Sequence, residues 1–140
     1  MGFEMWIRGF LTLVGLTYVA LGGWCLARPE QTARSIGFEL IPGAGVSEYM
    51  VVYGGLELAL GLLFLQPWLR PERLPAMLEA CFLIHLCLVA VRSWTLLTIP
   101  GIPSFTKSLA VGEWCILILS AACLWWARSA TAGTSPVVGP

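Results

Sequence analysis

Residues 5–27 read MWIRGFLTLVGLTYVALGGWCLA, and Arg8 is the only charged side chain in the run. A bilayer core of about 30 Å needs about 20 apolar residues, each adding about 1.5 Å along a helix. This stretch is long enough to cross. Arg28-Pro29 closes it, and no small-residue cleavage site ends it cleanly, so it is read as a span and not as a secretory signal. Three further runs follow. The second covers 47–65 and stops at Gln66-Pro67-Trp68. The third covers 75–98 and is broken by Ile99-Pro100-Gly101-Ile102-Pro103, too rich in Pro to stay helical. The fourth covers 105–127 and ends in Trp125-Trp126-Ala127-Arg128. The pattern predicts an all-α, four-transmembrane-helix bundle with both termini on the same side, a single membrane domain over 1–128. Residues 129–140 are small, Pro-containing and uncharged, and are expected to be a disordered tail.

Composition supports the same reading. Hydrophobic residues make up 58% of the 140 and charged residues 11%, with mean hydropathy +0.82. Soluble domains carry roughly 25% charged residues, so these charges could not cover a water-exposed surface. Eight basic residues balance eight acidic ones, and no net field points to nucleic acid. Cys25, Cys81, Cys87, Cys115 and Cys123 all lie in apolar runs, with no Cys-x-x-Cys pair. They read as small packing residues, and a disulfide-exchange redox protein is set aside.

The connections and anchors fit four crossings. The link 28–45 ends in the breaker Pro42-Gly43-Ala44-Gly45, and within it 29–36 suits a short interfacial helix, since Pro favours the first helical turn. Trp6, Trp24, Trp68, Trp94, Trp114, Trp125 and Trp126 fall mostly near span ends, where an aromatic belt forms. Arg8, Arg70, Arg73 and Arg128 fall on the side of the termini, against Arg28, Arg34 and Lys107 opposite, which favours cytoplasmic termini. Gly15 and Gly22 sit a heptad apart in the first span with Tyr18 on the same face; Gly54 and Gly61 repeat that spacing in the second. Such small-residue stripes predict close helix packing, with a homodimer interface as the alternative.

Ionisable groups at membrane depth are the candidate functional residues, because a charge there costs about 2.5–3.5 kcal/mol even on insertion scales. Glu57 falls near the middle of the second span and His85 near the middle of the third. Arg92 lies two turns beyond His85 on nearly the same face, level with Glu113 in the fourth span. Tyr49, Tyr53 and Glu57 recur every four residues, a ladder of hydroxyls leading to a carboxyl, with Glu48 at its mouth. Glu79 lies nearer the termini, where Arg8 is expected to meet it. Tyr53, Glu57, His85, Arg92 and Glu113 are thus expected to line a polar, lipid-accessible cavity between spans two, three and four. The bland alternative is a set of internal ion pairs that fixes the packing. No Glu-x-x-His pairs of a di-iron bundle occur, and no metal or cofactor is expected.

The second span also carries a resemblance. Ser47-Glu48, then Tyr53-Gly54-Gly55-Leu56 running into Leu58-Ala59-Leu60-Gly61-Leu62, resembles the central motif of a family of small bacterial four-helix integral membrane proteins of unknown function. The resemblance extends over most of residues 5–127. It includes the Arg-Pro-Glu element after the first span and Glu113 in the fourth. Where the family pattern has a basic residue two after the Glu, this chain has Met50. The resemblance implies a four-helix fold in the bacterial inner membrane and no particular activity.

Three function classes follow. The favoured one is a protein that binds, or processes, a small lipophilic ligand at the polar cluster, with Glu57 or His85 moving protons. The second is a structural or accessory subunit of a membrane complex, in which the cluster only holds the bundle together. The third is a dimeric proton-coupled carrier of small molecules. The bilayer itself is the one partner common to all three.

Overall fold

The computed structural model describes residues 2–132, and these form an all-helical chain without strands. Helix α1 spans Gly2–Ala27 and is followed by the short α2, Pro29–Ser35, with Pro at its first turn as the sequence predicts. Helix α3 runs over Ala44–Trp68, α4 over Leu74–Thr98 and α5 over Ser104–Ala132. All four long helices are long and apolar enough to cross a membrane. The four expected spans are therefore present, each extended slightly at its ends. Helix α5 continues past Arg128, so residues 129–132 of the expected tail are helical; 133–140 lie outside the described residues.

The breaks have local causes. Gly43 adopts φ +82°, a left-handed conformation open to glycine, and the chain turns from the interfacial segment into α3 there. Gly101 does the same at φ +80° in the Pro100–Pro103 turn between α4 and α5. Pro67 lies in the 3-10 turn that ends α3, and Pro71 opens a second such turn in the link to α4.

Helix α3 is not a uniform α-helix. Met50–Leu56, which contains Tyr53-Gly54-Gly55, is wound as a π-helix, with α-helical turns on both sides. Glu57 is the first residue after it. Wide turns of this kind are rare and recur at functional sites. Periodicity alone cannot reveal one, because the apolar pattern of a span stays apolar under either winding.

Two antiparallel hairpins result: α1 packs along α3, and α4 along α5. The glycine stripes explain the first. A Cβ placed on Gly61 would lie 2.7 Å from the carbonyl oxygen of Gly15, and one on Gly22 would lie 2.9 Å from that of Gly54. Gly15 thus faces Gly61 and Gly22 faces Gly54, one antiparallel seam with no room for a side chain at either level. This is close packing within one chain, the first of the two readings of the stripes.

Between the hairpins, the half nearer the chain ends is closed by an apolar core. Ile7, Leu11 and Val14 of α1 meet Phe64 of α3 and Leu74, Leu78 and Cys81 of α4. Phe3 and Trp126 stack at 5.3 Å, which brings the first turn of α1 beside the end of α5 and puts both on one face. All seven tryptophans are exposed on the outer surface, where lipid would meet them.

Candidate functional site

Above that apolar core lies a polar seam, and it starts with His85. Its side chain is fully buried. Nδ1 lies 2.8 Å from the Cys81 carbonyl oxygen, which can only accept, so Nδ1 carries a proton. Nε2 lies 3.3 Å from the Tyr18 hydroxyl on α1, and in the neutral ring it accepts a hydrogen bond that this hydroxyl donates. Both ring nitrogens are thus satisfied without charge. The rings of Tyr18 and His85 meet edge to face at 5.8 Å, and Phe64 packs against Tyr18 at 5.9 Å.

Two turns farther along α4, Arg92 reaches Glu113 of α5. Arg92 Nε donates to Glu113 Oε2 at 2.9 Å and Nη2 donates to Oε1 at 2.7 Å, a bidentate pair. Their side chains are 27% and 15% exposed. The sequence expectation that these two are neighbours holds. Arg92 also lies within electrostatic range of Tyr53, and Glu113 within range of His85 and Tyr18.

Glu57 differs from its neighbours. It lies within electrostatic range of Tyr18 on α1 and of Tyr53 one turn back on α3. Its Oε2 atom is buried and has no hydrogen-bond partner among the described residues. It takes part in none of the ion pairs there, which are Arg92–Glu113, Arg34–Glu30 and Arg128–Glu79. The seam therefore contains two closed contacts, Tyr18–His85 and Arg92–Glu113, and one open carboxyl.

Of the five expected members of the cluster, Arg92 and Glu113 are in contact, Tyr53 lies in electrostatic range of Glu57 and Arg92, and His85 in that of Glu113. Among the secondary candidates, Tyr49 touches one of these residues. Tyr49 stacks on Tyr53 at 4.7 Å, but its hydroxyl lies 3.7 Å from Cys25 Sγ, inside a separate small core with Ala33. The ladder of hydroxyls is thus diverted before it reaches Glu57. Glu48 is exposed. Glu79 lies 3.8 Å from Arg128 and not beside Arg8, because α5 continues past the expected span end and brings Arg128 alongside. Arg8 keeps a buried Nε without a hydrogen-bond partner.

Sequence reasoning missed Tyr18 as a site residue. Arg8 is the only charge in the first span, and Tyr18 was counted there only as a member of the glycine face. The available signal was that a tyrosine hydroxyl at membrane depth needs a partner, and His85 is the group level with it. An open groove of about 700 Å³ lies under the interfacial segment, walled by Leu26, Leu40, Pro42, Val46, Met50 and Gly55, among others, and Glu57 is not in its wall. No group of three His, Cys or acidic residues close enough to hold a metal ion occurs among the described residues. No family model, no curated protein and no solved structure matches the chain.

Proposed function

We propose that the chain is a multi-pass protein of a bacterial inner membrane, with cytoplasmic termini, that binds a small lipophilic ligand at the seam around Glu57. The supporting observation is the contrast in hydrogen bonding. Arg92, Glu113, His85 and Tyr18 satisfy one another, while Glu57 keeps a buried oxygen without a partner. An unsatisfied buried polar atom in a native structure calls for an explanation, and a ligand's polar end supplies one. Ionisable groups at this depth mark functional positions by default. The π-wound segment that ends just before Glu57 supports the same assignment.

The core beneath the seam argues against a through-membrane carrier in this conformation. Leu11, Phe64 and Cys81 are 0% exposed and Leu78 is 1% exposed. The seam is thus sealed toward the side of the termini. Orientation is supported by Arg8, Arg70, Arg73 and Arg128 near the termini against Arg28, Arg34 and Lys107 opposite.

A thermal-unfolding screen of lipophilic compounds against detergent-solubilised wild type and Glu57→Gln tests the reading. Compounds that bind raise the wild-type midpoint by mass action, and the effect grows with concentration. The proposal requires such compounds to act on the wild type and to lose most of the effect in Glu57→Gln. Equal shifts in both proteins, or none in either, would refute it.

A further inference from the structure

The charge count of the seam narrows the ligand class. Two carboxyl groups, Glu57 and Glu113, share the region with one permanent cation, Arg92, and Glu113 holds that cation with two hydrogen bonds. Tyr18 of α1 and Tyr53 of α3 are the groups in electrostatic range of Glu57, and the seam beyond them holds His85 and Arg92 of α4 and Glu113 of α5. None of these supplies a free positive charge, because His85 is satisfied as a neutral ring. A lone carboxylate at this depth is expensive, so the empty site holds Glu57 as the neutral acid. The same position offers a ligand one ionisable carboxyl and two phenol rings, one of them stacked on Tyr49 and edged by Phe38 at 5.8 Å. An anionic carboxylate without a cation of its own suits the charged end of an organic cation.

We infer that the seam takes a lipophilic monovalent cation, such as an alkylammonium, whose charged end replaces the acidic proton of Glu57. This rests on the reading of Glu57 as the open position of the seam. The exchange balances: Glu57–COOH and the cation give Glu57–COO⁻ paired with the cation, and the proton leaves to water. Arg92–Glu113 stays closed throughout, so the local net charge is unchanged by binding.

The test uses full-length protein in nanodiscs of zwitterionic lipid, in weakly buffered solution with a pH indicator. Dodecyltrimethylammonium, dodecanol and dodecanoate share a tail and differ in head charge. The wild type should bind the ammonium saturably and release about one proton per cation bound. Dodecanol and dodecanoate should bind at least about tenfold more weakly. Glu57→Gln should lose both the saturable binding and the proton. If dodecanol or dodecanoate binds as tightly as the ammonium in a Glu57-dependent way, or ammonium binding releases no proton, the cation assignment is wrong while the ligand site stands. If none of the three binds saturably, the ligand site falls with it.

Discussion

The Nε2 atom of His85 lies 3.3 Å from the Tyr18 hydroxyl, and this contact joins α4 of one hairpin to α1 of the other where the apolar core gives way to the polar seam. Tyr18→Phe keeps the ring packing against Phe64 but leaves Nε2 buried without a partner. The expected cost is about 1–3 kcal/mol of stability. Unfolding in mixed micelles measures it, and a loss no larger than that of an exposed control such as Thr17→Val would show that the contact contributes nothing.

The Arg92–Glu113 pair should be destabilising to break and nearly neutral to remove. Arg92→Met or Glu113→Leu alone leaves one charge at membrane depth, at a cost of about 3–5 kcal/mol. The double replacement removes both charges and should recover most of that loss. A double-mutant cycle on the same unfolding assay checks this; strictly additive losses would contradict the account.

Glu57 should behave in the opposite way. Its Oε2 atom has no partner to lose, so Glu57→Leu should leave ligand-free stability unchanged or raise it by about 1 kcal/mol, as replacements at binding positions often do. A loss comparable to that of Arg92→Met would mark Glu57 as a structural member of the seam.

Gly61 offers a packing test. A Cβ there would lie 2.7 Å from the Gly15 carbonyl oxygen, so Gly61→Ala must push α1 and α3 apart and should cost about 1–3 kcal/mol. Gly112, where an added Cβ meets nothing within 4 Å, is the control and should tolerate Ala. Equal effects at the two positions would contradict the antiparallel seam.

The architecture was legible because its signals are local. Run length gives the four spans, Pro and Gly give the breaks, and the heptad spacing of Gly15, Gly22, Gly54 and Gly61 gives a close helix pair. The Arg92–Glu113 contact was legible too, because depth along a span follows from residue count once the spans are known. What escaped was set by rotation about the helix axes and by winding. The π-turns at Met50–Leu56 leave no mark in an apolar sequence, and Tyr49 turns toward Cys25 and not along the seam. Tyr18 escaped because its partner is 67 residues away on another hairpin. Arg8 and Glu79 failed as a pair because the fourth helix extends past Ala127 and delivers Arg128 to Glu79 first.

Infrared difference spectroscopy of the protein in nanodiscs tests the central claim most directly, with dodecyltrimethylammonium as the probe and Glu57→Gln as the spectral control. The account predicts a carboxylic-acid C=O band in the ligand-free wild type that is absent from Glu57→Gln, and its conversion to a carboxylate band as the probe saturates. A wild-type spectrum without that band, or a band that the probe leaves untouched, would contradict it.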